Sequence, residues 1–248
     1  MAYSQLAFFY DTFMQHAPYD QWVNFTQNIF KRYDKKVQTI TDLGCGTGEI
    51  TLRLASLNYE MTGIDYSPEM LAVADQKMRT LNKSVHWLRQ DLRQLSNFGR
   101  QDAMISYCDV INYIPQRTDL QNIFKQIYDR LSDKGILIFD VHAINYAQHF
   151  LMNEKFAEVT DDLSYIWFCH EGDQRGEMFH ELTFFAKNDR GTYERYTEVH
   201  QQRTYEEAIY EQLLNNCGFR QVDIYYDFQL ETMNGGGQPE RVFFVALK

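Results

Sequence analysis

A β-branched run, Val37-Gln38-Thr39-Ile40-Thr41-Asp42-Leu43, leads directly into Gly44-Cys45-Gly46-Thr47-Gly48 and then into apolar positions at helical spacing, Ile50, Leu52, Leu54, Ala55 and Leu57. This strand–turn–helix unit constrains the fold more than any other stretch of the chain. Glycines at alternate positions permit left-handed backbone and let backbone N–H groups approach a ligand closely, with a helix N-terminus behind them. A second strand, Glu60 to Ile64, ends at Asp65, twenty-one residues after Gly44. A carboxylate at that place can accept hydrogen bonds from both hydroxyls of a ribose. The two features together suit a nucleoside cofactor.

Strands and helices continue to alternate. Ser67-Pro68-Glu69 predicts a helix start, with serine as N-cap and proline in the first turn, where its missing N–H costs nothing. Val85–Leu88 and Ala103–Cys108 read as the third and fourth strands. Leu120, Ile123, Phe124, Ile127 and Leu131 predict a helix, with Gly135 as its stop signal, and Gly135–Val141 predicts a fifth strand apolar enough to be covered on both faces. Such alternation implies a parallel α/β sheet with right-handed crossovers. The pattern then changes. Glu158–His170, Glu177–Lys187 and Thr192–Arg203 have strand character, and Asn188-Asp189-Arg190-Gly191 suits a hairpin turn, so residues 144–203 are expected to form an antiparallel β insertion. A helix from Tyr205 to Asn216, ended by Gly218, returns to the core, followed by a sixth strand, Gln221–Phe228. Only a loop with Gly235-Gly236-Gly237 separates this from the last strand, Arg241–Leu247, and so short a link without a helix implies an antiparallel pair. The expected fold is a doubly wound, mostly parallel seven-stranded sheet ending in a reversed hairpin. Before it, Phe8, Phe9, Phe13, Trp22, Val23, Phe25, Ile29 and Phe30 supply the apolar faces of helices.

Composition narrows the function classes. The 248 residues suit one domain of generous size or one with an insertion, and 44% hydrophobic against 23% charged residues excludes wholesale disorder. The absence of a long apolar run argues against a membrane helix, and Met1-Ala2-Tyr3-Ser4-Gln5 does not look like the start of a secretory signal. Cys45, Cys108, Cys169 and Cys217 are far apart, which argues against a zinc site or disulfide framework and fits a cytoplasmic protein. A net charge of -10 disfavours binding to a nucleic-acid backbone.

A dinucleotide turn reads G-x-G-x-x-G, whereas here the third glycine comes one residue sooner and Asp42 precedes the turn. Asp42-Leu43-Gly44-Cys45-Gly46-Thr47-Gly48 closely resembles motif I of the class I S-adenosylmethionine-dependent methyltransferases. The resemblance implies that Asp42, Gly44, Cys45, Gly46 and Gly48 border the cofactor, S-adenosylmethionine, with S-adenosylhomocysteine as product. Asp65-Tyr66-Ser67-Pro68-Glu69-Met70 resembles the second motif, implying Asp65 on the ribose and Tyr66 and Met70 near the adenine. Gln90-Asp91-Leu92 resembles the third-strand motif, implying that Asp91 meets the adenine amino group beside Leu92. Tyr107 falls where the family lines the methionine part. The opening Phe9-Tyr10-Asp11-Thr12-Phe13-Met14 and Pro18-Tyr19-Asp20-Gln21-Trp22 are similar to the amino-terminal lid of small bacterial YqeM-like methyltransferases, implying that Tyr10 or Tyr19 closes over the cofactor. The expected organisation is a helical lid (residues 1–35), a Rossmann-like core (36–143 and 204–248) and a β-rich cap (144–203).

The acceptor is less constrained. Neither a [DN]-P-P-[YF] signature after the fourth strand nor a Pro-Cys nucleophile is present, which points away from adenine-amino and cytosine-C5 methylation and towards a small-molecule N or O acceptor. His142, just beyond the fifth strand, is a candidate general base with Tyr113 nearby; the alternative is an ordinary loop histidine. In the last insertion stretch, Glu194, Tyr196, Glu198, His200 and Gln202 fall on one face, and Arg195, Thr197, Val199 and Arg203 on the other. Arg195 or His200 is expected to read a polar group of the acceptor. The insertion's histidines lack metal-ligand spacing, so no metal is expected. An exposed edge of the insertion would suit a homodimer. A nicotinamide-dependent oxidoreductase and a non-catalytic cofactor-binding regulator remain the competing readings.

Overall fold

Apolar strands alternating with amphipathic helices build one seven-stranded sheet, and the inserted residues build a separate four-stranded one. The computed structural model describes residues 6–81, 83–188, 190–231 and 238–248; the expected 235–237 glycine loop, Asp189 of the expected hairpin turn and the first five residues lie outside these.

Helices α1 (Leu6–Phe13) and α2 (Tyr19–Arg32) precede the alternating part, in which α3 (Glu49–Ser56), α4 (Pro68–Thr80) and α5 (Arg117–Arg130) join strands β1 (Thr39–Leu43), β2 (Glu60–Asp65), β3 (Val85–Arg89), β4 (Gln101–Ser106) and β5 (Leu131–His142). A short α6 (Ile144–Tyr146), continued by a π turn, leads into β6 (Lys155–Val159), β7 (Leu163–Glu171), β8 (Glu177–Lys187) and β9 (Tyr193–Arg203). The chain closes with α7 (Glu207–Cys217), β10 (Gln221–Tyr226) and β11 (Arg241–Leu247).

The large sheet has the order β10-β11-β5-β4-β1-β2-β3, parallel except that β11 is antiparallel to both β10 and β5. The chain winds one way from β1 through β3 and the other way from β4, so the switch point lies between β1 and β4, where open α/β sheets bind ligands at their carboxyl edge. The N-cap expected at Ser67 is present, its hydroxyl accepting from the Met70 N–H at 3.2 Å. Gly218 ends α7 in left-handed backbone at φ 105.

Three expectations need correcting. Gly135 does not stop α5: the helix ends at Arg130, and Leu131 is already extended, so Gly135 sits inside β5. The first insertion stretch is two strands rather than one. Thr160 turns the chain, its hydroxyl donating to the Leu163 carbonyl at 2.6 Å, and β6 folds back on β7. Finally, α2, expected within the lid, is built into the core. Trp22, Phe25, Ile29 and Phe30 are buried against the sheet, with Phe25 4.4 Å from the ring of Phe243. Each such aromatic contributes roughly 1.5–3 kcal/mol through burial, which holds α2 in place.

Helix α1 is placed differently. Its Phe13 packs on Tyr165 and Phe184 of the four-stranded sheet (4.6 and 5.8 Å), while its Asp11 accepts from the Thr47 hydroxyl in the glycine turn at 2.6 Å and pairs with Lys77. It thus bridges the cap and the turn after β1. The inner face of the cap carries the buried residues of β8 (Met178, His180, Leu182, Phe184 and Ala186) over the carboxyl edge of the large sheet.

Candidate functional site

A cavity of about 680 Å³ runs from the glycine turn to the inner face of the cap. That is within the range of small-molecule sites, roughly 300–1,000 Å³.

At one end lies the turn between β1 and α3. Gly44, Gly46 and Gly48 all have left-handed backbone (φ 77, 53 and 80), but for different purposes. A Cβ on Gly44 would stand 2.4 Å from the Val110 side chain, and one on Gly48 would meet Trp87 and Ala74 at 3.0 and 3.1 Å, so these two glycines serve packing. Nothing lies within 4 Å of the Cβ position of Gly46, which borders the cavity. Gly46 is therefore the glycine that leaves room for a ligand against the backbone.

Asp65 holds this turn. Its Oδ2 accepts from the Gly46 N–H and its Oδ1 from the Ser67 N–H, both at 2.8 Å. Burial pushes its carboxyl pKa up, and these backbone N–H groups oppose the shift. Asp42 lies deeper, accepting from the Thr51 hydroxyl at 2.6 Å; burial pushes its pKa up to about 7 against that hydrogen bond. Asp91 is bridged by the Arg93 guanidinium, which lowers its pKa. Tyr66, Met70 and Leu92 complete this end of the cavity. An aspartate at the end of β2, an open glycine and an aspartate after β3, all bordering one cavity, fit an adenosyl cofactor. Asp65→Ala should weaken S-adenosylhomocysteine binding by about 1.5–3 kcal/mol, as expected for charged hydrogen bonds. Calorimetric titration checks it, and an unchanged affinity would remove Asp65 from the site.

The middle of the cavity has a charged floor. Cys108 and Asp109 follow β4 with consecutive left-handed conformations (φ 56 and 54), rare for non-glycine residues and characteristic of functional sites. Asp109 Oδ1 faces His142 Nε2 at 3.6 Å and Arg241 Nη1 at 3.4 Å, and its Oδ2 accepts from Gln202 Nε2 at 2.8 Å. Burial alone would raise the Asp109 pKa, but His142, Arg241 and Gln202 hold it well below the usual carboxylate range. Arg241 also reaches Asp140 Oδ1 at 3.2 Å; the Trp22 indole N–H donates to Asp140 Oδ2 at 2.6 Å and the Asp109 N–H to its Oδ1 at 2.8 Å. Asp140 is completely buried, and that burial pushes its pKa up despite Arg241. One arginine thus sits between two carboxylates, of which Asp109 also faces His142 and Gln202.

His142 itself is firmly placed. Its N–H donates to Asn112 Oδ1 at 3.0 Å and its carbonyl accepts from the Thr204 hydroxyl at 2.5 Å, so the return from the cap grips the end of β5. Its Nδ1 is buried without a hydrogen-bond partner among the described residues. Tyr113 and His200 also line the cavity, the rings meeting edge-on at 5.9 Å, and His200 Nε2 is 3.1 Å from Glu198 Oε2. Beyond them Tyr146, Leu151, Phe156, Trp167 and Leu182 form an apolar wall.

The expected residues divide accordingly. Asp42, Gly44, Cys45, Gly46, Asp65, Tyr66, Met70, Asp91, Leu92, Tyr107, Tyr10, Tyr19, Tyr113, His142 and His200 border the one cavity, while Gly48 stands behind it. Tyr107 is 3% exposed, with its hydroxyl 2.6 Å from that of Thr26, so its polar end is engaged with α2. Burial raises the pKa of both Tyr10 and Tyr19, and the Tyr19 hydroxyl is buried with no hydrogen-bond partner among the described residues. Arg195 is misplaced by the sequence reading: it is exposed on the outer face of β9 and does not border the cavity, because Glu198, His200 and Gln202 occupy the inner one. Sequence reasoning missed Asp109, Arg241, Gln202 and His180 as site residues. Asp140 did leave a signal: a lone carboxylate inside the apolar run Ile138–Val141 demands a buried partner. Among the described residues no group of three or more His, Cys, Asp or Glu side chains could hold a metal ion, and no helix is long and apolar enough to cross a membrane.

Comparison with known proteins agrees with this geometry. A sequence family described as a methyltransferase domain matches residues 40–135. The candidate methyltransferase YqeM of Bacillus subtilis (strain 168) is 38% identical over 249 aligned residues, covering 100% of this chain and 98% of that one. Among solved structures, an S-adenosylmethionine-dependent methyltransferase from Clostridium acetobutylicum ATCC 824 superposes with a TM-score of 0.88 at 24% identity, covering 100% of this chain and 99% of that one. The sugar N-methyltransferase KedS8 of Streptoalloteichus sp. ATCC 53650 has a TM-score of 0.75 at 18% identity, covering 96% and 92%. With the glycine turn, Asp65 and the reversed terminal strand in place, the chain belongs to the class I S-adenosylmethionine-dependent methyltransferases, within their YqeM-like group.

Proposed function

We propose that the enzyme methylates a nitrogen or oxygen of a small molecule held under the cap, with His142 as proton acceptor. The observation carrying this reading is that one cavity contains both the glycine turn with Asp65 and the His142–Asp109 pair, walled by apolar cap residues. S-adenosylmethionine supplies a methyl group on a sulfonium. The acceptor atom needs a free lone pair, so a protonated amine or a hydroxyl must lose its proton. His142 takes that proton, and ionised Asp109 stabilises the resulting imidazolium. The apolar wall orients the acceptor and excludes water, so that catalysis rests largely on positioning.

An amine is the favoured acceptor. At the His142 end Asp109 and Glu240 border the cavity with a single arginine, Arg241, so that end does not repel a cationic amine. The resemblance of the fold to a sugar N-methyltransferase points the same way. Purified enzyme should form S-adenosylhomocysteine with members of a panel of small primary and secondary amines. Efficient methylation of bulk tRNA or DNA with no turnover of any small amine, alcohol or phenol would refute the proposal.

A further inference from the structure

At the cap end of the cavity the polar side chains are already engaged with one another. The Trp167 indole N–H donates to His180 Nδ1 at 3.0 Å, His180 Nε2 is 3.1 Å from Gln202 Oε1, and Gln202 Nε2 donates to Asp109 Oδ2 at 2.8 Å. Both nitrogens of His180 and both ends of the Gln202 amide thus have a protein partner, and the two residues are buried at 5% and 3% exposure. Burial lowers the His180 pKa to about 4, so this histidine brings no charge to the cap at neutral pH. His200 Nε2 is likewise 3.1 Å from Glu198 Oε2.

What remains on this side is mainly ring and aliphatic carbon. Phe13, Tyr146, Leu151, Phe156, Trp167 and Leu182 border the cavity, and none of them is charged. Neighbours hold the rings: Phe156 lies 4.5 Å from Trp167, Tyr146 stacks on Phe150 at 5.4 Å, and Phe13 meets Tyr165 edge-on at 4.6 Å. The one polar atom of Trp167 is tied to His180, so the indole offers a ligand its carbon surface. Only His180 and Gln202 stand between this wall and the charged floor at Asp109.

Such a surface discriminates by chemistry. A sugar or other polyol would lose water from several hydroxyls and find few groups to replace it, and each buried hydroxyl without a partner costs affinity. A flat aromatic body gains by burial there and pairs with the rings in edge or offset geometry. A cationic nitrogen near ring faces is attracted as well. We propose that the acceptor is an arylalkylamine, with its aromatic ring seated against Trp167 and its nitrogen on a short arm reaching towards the Asp109 end, and that Trp167 determines this specificity. The inference rests on the small-molecule acceptor proposed above and is independent of the role of His142.

Calorimetric titration of the protein saturated with S-adenosylhomocysteine tests it without turnover. Benzylamine, 2-phenylethylamine and tryptamine are compared with ethanolamine and glucosamine at neutral pH, so that the amine is shared and the body differs. At least one aromatic amine should bind about tenfold or more tighter than either polar amine. Trp167→Ala should weaken that binding by about tenfold or more, and Trp167→Phe, which keeps a ring, by less than about threefold. Affinity for S-adenosylhomocysteine, held at the other end of the cavity, should stay within about twofold in both variants. Thermal unfolding shows whether each variant folds; if Trp167→Ala does not, the five amines on the unaltered protein decide alone. Polar amines binding as tightly as all three aromatic ones would overturn the proposal, as would no binding of any aromatic amine. So would unchanged aromatic affinity in folded Trp167→Ala, or a loss in Trp167→Phe as large as in Trp167→Ala. Turnover of polar amines without affinity for aromatic ones would sink this inference and leave the proposed function standing. Aromatic binding with no methyl transfer to any amine, alcohol or phenol would do the reverse.

Discussion

Arg241→Leu should destabilise the protein by about 3–5 kcal/mol at neutral pH, the range for removing one member of a buried ion group. Arg241 is the cation between Asp109 and Asp140, its own pKa raised by both carboxylates against the effect of burial. Without it two carboxylates share a dry site. The loss should depend on pH with a definite sign. In the unaltered protein the folded pKa of Asp109 is depressed, so its contribution is present above the unfolded value of about 3.9 and is lost as pH falls through the folded one. In the variant Asp140, whose folded pKa burial already raises, loses the cation that opposes that shift and takes up a proton on folding. The deficit is then greatest at high pH and narrows as pH falls towards about 4. Denaturant titrations across that interval measure it. Adding Asp140→Asn to Arg241→Leu should recover part of the stability, since one stranded charge is gone. A loss below about 1 kcal/mol, or one that grows on acidification, would show that the arginine does not neutralise this pair.

The second large effect is on turnover. Once an acceptor is in hand, His142→Gln should lower kcat by about 10²–10⁴-fold, the usual contribution of a positioned general base. Cofactor affinity should hardly change, because Asp65 and Gly46 belong to the other end of the cavity. A folded variant that keeps its rate would end the case for His142.

The half of the site readable in the sequence is the half built from neighbouring residues. Asp42 to Gly48, Asp65 to Met70 and Asp91 each sit at the end of a parallel strand, so strand order alone carries them to one edge. The floor was not readable in this way. Arg241 meets its partners because β11 is antiparallel to β5 in a register that sets it opposite His142 and Phe243 opposite Asp140. The run Arg241–Leu247 predicts the strand and its direction but not that register. Period-two alternation divided β9 into two faces correctly, yet the inward one is chosen by packing against β8 and the core. That is why His200 borders the cavity and Arg195 does not. Gly135 misled because a glycine after a helical pattern is usually a stop, whereas here the chain straightens at Leu131 without needing left-handed backbone.

The two halves of the site also differ in how far along the chain their parts must travel to meet. The glycine turn and Asp65 bond across 19 positions, whereas Asp109 and Gln202 are 93 apart and Asp109 and Arg241 132 apart. Closing longer loops costs more entropy, and contacts of high sequence separation form slowly. Refolding therefore has a built-in order: the glycine turn and Asp65 can assemble from a nearby stretch of chain, and the charged floor around Asp109 waits for the cap and the last strand. A chain caught between those stages would have its glycine turn closed on Asp65 while Asp109 still lacked Gln202 and Arg241, so the two ends of one cavity mature at different times.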